Sequence, residues 1–148
     1  MSDAGNSPRA WHVLIGTDAG YSPLIHAALQ HRNDARLLVL FGADDSFPFR
    51  PRPSTILVPG MPAGVIASIP ALEEVGIASR LASTAGLPGC HDGTVTELLE
   101  LWLRSLAADI LEQIHIAVDN SDAISSAVKE LGRLFQIPVI NIQGSDPP

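Results

Sequence analysis

The sequence predicts a three-layer α/β domain built on a doubly wound, mainly parallel sheet. Two observations predict it. Strand-length and helix-length segments alternate along the chain, and the strand-length segments are continuous apolar runs. A strand that is apolar at successive positions is buried on both faces, so it needs helices on each side of a parallel sheet.

The elements follow in order. His12–Ile15 is a short apolar run ending at Gly16, the first predicted strand. A glycine-containing turn follows, with Ser22 expected to cap a helix and Pro23 to occupy its first position. Leu24, Ile25, Ala28 and Leu29 give that helix one apolar face as far as about His31. Leu37–Phe41 is a second apolar run, expected to stop at Gly42. Residues 43–54 read as irregular, with Pro48, Pro51 and Pro53 among them. Thr55–Val58 is a strand candidate, and Pro62–Val75 reads as helix interrupted at Pro70. Ile77–Ser83 is the next predicted strand and 86–93 a loop. Thr94-x-x-Glu97 is a capping-box pattern, and the helix it heads carries Val95, Leu98, Leu99, Trp102, Leu103 and Leu106. Ile114–Val118 is a further strand. Asn120 or Ser121 is expected to cap the last helix, whose apolar positions are Ile124, Ala127, Val128, Leu131, Leu134 and Phe135. Pro138–Ile142 is the final strand. Residues 1–10 are expected to form a flexible leader, 11–143 a single nucleotide-binding-like domain, and 144–148 a loose tail.

Composition narrows the function classes. The 148 residues suit one domain with an ordinary core, 46% hydrophobic and 17% charged. The lean charged surface raises the expectation of a homodimer. A net charge of −7 argues against nucleic acid and anionic membrane as partners. The single cysteine, Cys90, excludes an intrachain disulfide or a cysteine-ligated iron–sulfur cluster in this chain and fits a reducing, cytoplasmic setting. No run of about 18 apolar residues suggests a membrane span. The five histidines show no metal-ligand spacing, so no metal is expected. Cys90-His91-Asp92 holds the residue types of a nucleophile system, but adjacent side chains do not face one another, and no catalytic residue is assigned.

The strand–turn–helix unit at the start carries the most information, because in doubly wound sheets this turn faces the ligand crevice and the helix N-terminus attracts phosphate. Gly16-Thr17-Asp18-Ala19-Gly20-Tyr21-Ser22-Pro23 resembles the Gly-Thr-Gly-x-Gly-x-x-Pro loop of the ferredoxin–NADP reductase family. The likeness continues through Ala82-Ser83-Thr84-x-Gly86, the Gly93-x-Val95-Thr96 segment that opens the next helix, and the strand–helix–strand from Ile114 to Gln143. It is nearest to the electron-transfer subunits of dihydroorotate dehydrogenases. The resemblance implies a Rossmann-like fold of the ferredoxin reductase C-terminal-domain type, an NAD(P)H site and a flavoprotein partner. Gly16, Thr17, Asp18 and Gly20 with Tyr21 and Pro23 would hold the pyrophosphate side, while Ser83, Thr84 and Gly86 would meet a ribose or phosphate.

The departures from that family set up two readings. Asp18 stands where the family has its middle glycine. Two unit charges about 4 Å apart repel by roughly 1 kcal/mol in water and about 4 kcal/mol at an effective dielectric near 20. The family's Cys-Gly-Pro is replaced by Asp119-Asn120 after the strand at Ile114, and roughly 11 residues precede the first strand, too few for a flavin barrel. One reading is an electron-transfer component that binds a nicotinamide dinucleotide and works with a flavin on another chain. The other is a degenerate, non-catalytic domain acting as a dimer or partner-binding module. Pro48-Phe49-Arg50-Pro51-Arg52-Pro53 fits three roles: a partner ligand, a lid over the crevice, or a rigid connector.

Overall fold

The computed structural model describes residues 11–17, 20–31, 36–44, 46–119 and 122–142. Among them, six strands form one parallel sheet in the order β6-β5-β2-β1-β7-β8. They are β1 (Trp11–Thr17), β2 (Arg36–Ala43), β5 (Ala78–Ser83), β6 (His91–Asp92), β7 (Ile114–Val118) and β8 (Val139–Asn141). A separate antiparallel pair joins β3 (Arg52–Pro53) to β4 (Ala67–Ser68). The helices are α1 (Tyr21–Gln30), α2 (Pro70–Glu73), α3 (Val95–Arg104), α4 (Ala108–Leu111) and α5 (Asp122–Phe135). No helix among the described residues is long and apolar enough to cross a membrane.

The apolar runs divide between two cores, as the period of a strand requires. Leu14, Val39, Phe41 and Leu81 face α1 and α2, where Leu24, Ala28 and Leu72 meet them. Val13, Ile15, Leu38 and Leu40 face α3 and α5, where Leu98, Leu99, Trp102, Val128 and Leu131 meet them. The three-layer, doubly wound expectation thus holds at the level of a Rossmann-like α/β sheet. Trp102 is fully buried, edge-on to Trp11 at 5.6 Å, and donates its indole N–H to the Pro59 carbonyl at 2.9 Å. It is core, not an association surface.

Several expectations are corrected. The second strand runs through Gly42 to Ala43, because Gly42 serves close packing rather than chain reversal: a Cβ there would stand 2.8 Å from Val95 Cβ. The first helix begins at Tyr21 with Gly20 as its N-cap and no side-chain cap, so Ser22 and Pro23 lie one and two residues inside it. Residues 55–58 are loop, and Pro62–Val75 holds the two-residue strand β4 and the short α2, which Pro70 starts rather than interrupts. Leu134 is 60% exposed and Ala127 exposed, so the buried stripe of α5 is narrower than its apolar pattern. The capping box at Thr94 forms as expected, with Glu97 N–H donating to Thr94 Oγ1 at 3.1 Å and Thr94 N–H to Glu97 Oε1 at 3.0 Å. The caps proposed at Asn120 and Ser121, the leader and the tail lie outside the described residues.

The loop at 54–58 is held by charge. Glu73 accepts from Thr55 N–H at 2.7 Å, from Ser54 Oγ at 2.8 Å and from Thr55 Oγ1 at 3.1 Å. Arg80 is buried at the β5 edge and donates to the Ile56 carbonyl at 2.6 Å. Burial opposes ionisation of Glu73, but these three donors and the Arg80 charge outweigh it and hold the carboxyl below its usual range. A carboxyl whose folded pKa is depressed stabilises fully above its unfolded value of about 4.3 and loses that contribution as pH falls through the lower folded value. The stability difference between the wild type and Glu73→Gln, from urea melts, should therefore be level from about pH 6 to 7 and shrink below about pH 4.

Candidate functional site

The strand order reverses between β1 and β7: the chain runs from β1 through β2 and β5 out to β6, then returns to β7 on the other side of β1. In doubly wound sheets ligands lie at the carboxyl ends of the strands near this point. A cavity of about 630 Å³ opens at the ends of β1, β2 and β5, beneath the first turn of α3 and beside α5. This volume suits a mononucleotide-sized or larger ligand. Among the described residues, Thr17, Thr84, Thr94 and Thr96 line it with hydroxyls, together with the carboxylates of Asp44, Glu97 and Glu100.

The three carboxylates are not equivalent. Glu97 is engaged in the α3 capping box. Glu100 accepts from Arg104 at 2.6 Å, one turn further along α3. Asp44 follows the last residue of β2, is exposed, and lies 3.5 Å from Thr84 Oγ1, which also reaches the Asp44 carbonyl at 3.4 Å. Because Glu97 already satisfies the N-terminus of α3, that helix end offers little to an incoming anion.

The residues predicted from sequence are only partly brought together. Thr17 and Thr84 line the cavity. Ser83 is buried, and its hydroxyl accepts from Ala85 N–H at 3.0 Å, so it shapes the turn after β5. Gly86 has φ +71° and a clear space where a Cβ would be, which makes it a turn glycine on the surface. Tyr21 packs on Phe41 and Phe49, with centroids 5.3 and 5.4 Å away, on the α1 side of the sheet. Burial pushes its phenol pKa up. Pro23 is exposed in the first turn of α1. Asp18 lies outside the described residues.

Gly16 and Gly20 have a shared neighbour. A Cβ on Gly16 would touch Asp119 Cβ at 3.4 Å and Leu24 Cδ2 at 3.5 Å, whereas one on Gly20 would overlap the Asp119 carboxyl group. Asp119 follows β7, and its N–H donates to the Ile15 carbonyl at 2.9 Å. A carboxylate of the chain itself therefore packs on the N-cap of α1, the end where the dipole favours negative charge. Burial raises the Cys90 pKa, which leaves its thiol a poorer nucleophile at neutral pH.

Sequence reasoning missed Asp44, Glu97 and Glu100 as cavity residues. A signal for Asp44 was present: a carboxylate closing the second strand, roughly 20 residues beyond the glycine turn, is where dinucleotide folds contact a ribose. Comparison of the chain with protein-family models, with characterised proteins and with solved structures gives no match.

The packing of Asp119 on Gly20 yields a double-mutant test. The φ of Gly20 is −102°, so alanine carries no backbone penalty there and the cost arises from the carboxyl group alone. Gly20→Ala should cost about 1–3 kcal/mol in urea denaturation of the wild type, and much less in an Asp119→Ala background.

Proposed function

We propose that this domain is a reductase-like, electron-transfer component that binds a nicotinamide dinucleotide of the NAD(H) type and works with a flavin held outside residues 11–142. The observation that carries this reading is the Asp44–Thr84 pair at the mouth of the cavity. A carboxylate at the end of the second strand accepts hydrogen bonds from vicinal ribose hydroxyls, and the same charge repels a 2′-phosphate. The resemblance of Gly16–Pro23 and Gly93–Thr96 to the ferredoxin–NADP reductase family supports the same assignment, including the finer fold type. Thr17, Thr84 and Thr96 would supply further hydroxyls to sugar and phosphate. In this role the chain contributes position and electrostatics, and hydride chemistry comes from the dinucleotide when it is bound.

A second reading is favoured by one observation. Asp119 packs on the N-cap of α1, so a carboxylate of the chain stands near where a pyrophosphate would sit, and in the sequence Asp18 replaces the middle glycine of the Gly16–Pro23 motif. A domain that has lost tight dinucleotide binding in this way would act through its surfaces.

Calorimetric titration at low salt separates the two. The first reading expects NADH to bind more tightly than about 100 μM, near −5.5 kcal/mol, with NADPH at least about ten-fold weaker. It also expects Asp119→Asn to tighten NADH, since one like charge is removed from the phosphate end. Absence of heat with NADH in both the folded wild type and Asp119→Asn would overturn the first reading and leave the second.

A further inference from the structure

The segment from Phe47 to Pro51 lies on the other side of the sheet from the carboxylate-lined cavity. Phe47 and Phe49 pack against the α1 and α2 core, whereas α3 and α5 line the cavity. Phe47 and Phe49 stack with centroids 5.2 Å apart and planes 22° apart. Tyr21 continues the pile from Phe49 at 5.4 Å and 30°. Phe41, fully buried, supports all three rings at 5.3, 5.9 and 6.0 Å. One groove, about 620 Å³, opens at Phe47, with Leu87 and Pro88 also lining it. Another, about 590 Å³, opens where Tyr21 and Phe49 meet. Arg50 lines both.

Arg50 differs from the other cations. Arg52 pairs with Glu74, Arg104 with Glu100 and Arg133 with Glu130. Arg80 and Lys129 donate to a carbonyl and to Asn141, and Arg36 lies over Trp11. Among the described residues, Arg50 is the one Lys or Arg whose side chain meets no acid, carbonyl, amide or ring. Pro48 stands two residues before Arg50 and Pro51 directly after it, and each ring locks its own φ, so this segment loses less entropy when a ligand orders it. A guanidinium selects carboxylate or phosphate, and an incomplete ring pile selects a further flat ring.

We infer that the groove at Phe47 and Arg50 is a binding site for a planar aromatic anion, a ring bearing a carboxylate or phosphate and no larger than a mononucleotide. The ring extends the pile at Phe47, and its anionic group meets Arg50. The site is independent of the dinucleotide reading, because it shares no residue with the carboxylate-lined cavity.

The test uses the full chain, with 2-naphthoate and 2-naphthyl phosphate as probes, and 2-naphthamide and cyclohexanecarboxylate as controls for charge and ring. Binding is read by amide chemical-shift titration. The expected result is saturable binding of at least one probe below about 1 mM, with shifts at Phe47, Arg50 and Leu87. Tighter binding of the phosphate assigns the site to phosphate esters, and the reverse order to carboxylates. Both controls should bind at least about ten-fold more weakly, as should the probe to Arg50→Ala, an exposed change that removes no internal contact. Phe47→Leu keeps an apolar side chain but removes the flat face and should weaken binding likewise. The inference is overturned if neither probe saturates by about 10 mM, if 2-naphthamide binds as well as the naphthoate, if Arg50→Ala binds unchanged, or if the shifts fall at Thr17 and Thr96.

Discussion

Burial of β1 and β2 on both faces is the constraint from which the other features follow. β1 pairs with β2 over Trp11–Thr17 and with β7 over Trp11–Ile15, so its backbone groups have ladder partners on both sides. With the backbone satisfied, each successive side chain must find an apolar layer, alternately above and below. That requirement places α1 and α2 on one face and α3 and α5 on the other. It also gathers the carboxyl ends of β1, β2 and β5 at one rim, where loops and helix N-termini meet. Gly42 lets α3 descend onto this rim, since any side chain there would push Val95 away. The cavity therefore owes its wall to a glycine in the strand and its polar lining to the strand ends at Thr17, Asp44 and Thr84 and to the capped turn that follows Gly93.

Charge decides what such a cavity accepts. In a chain of net charge −7, the described residues of the lining include three carboxylates and neither lysine nor arginine, which argues against a simple phosphate pocket. Two of the three are already committed, Glu97 to backbone N–H and Glu100 to Arg104. Asp44 remains, beside a threonine hydroxyl and at the strand end where hydroxyl recognition is geometrically natural. Asp119 acts in the opposite sense at the N-cap of α1, where a bound anion would gain most from the helix dipole. The same rim thus offers hydrogen-bond acceptors to hydroxyl groups at Asp44 and opposes negative charge at Asp119. The two functional readings differ only in which effect is larger.

Apart from β6, whose His91–Asp92 fall in the predicted loop 86–93, the sheet was legible because its signal is local and strong. Continuous apolar runs specify doubly buried strands, and the Thr94–Glu97 spacing specifies a helix start without tertiary information. The irregular stretch after β2 was legible from its prolines, but the region from Arg52 to Val75 was not, because its structure depends on distant partners. Ile56 and Val58 are apolar, like strand residues, yet residues 55 and 56 are fixed by Glu73 and Arg80 instead of a ladder. β4 is held where Ile66 and Ala67 donate to the Gly89 carbonyl at 2.9 and 2.8 Å, a contact that two-residue periodicity cannot encode. The site was half legible for a similar reason. Thr17 and Thr84 lie at strand ends that the glycine turns mark, whereas Ser83, one residue before Thr84, falls on the opposite side of the strand. A one-residue step along a strand changes the face, so a motif two residues wide cannot say which member meets the ligand.

The end of β2 shows how one strand can serve two different surfaces. Phe41 faces the α1 side and supports Tyr21, Phe47 and Phe49, while Gly42 lies against α3 on the other side. Beyond Ala43 the chain leaves the sheet, Asp44 reaches the cavity rim, and the proline-rich segment crosses back over the aromatic side. Strand alternation therefore separates a carboxylate-and-hydroxyl surface from an aromatic-and-guanidinium one within about ten residues. The two surfaces differ in charge and share no lining residue, so substitutions on one side of β2 can be assessed without disturbing the chemistry of the other.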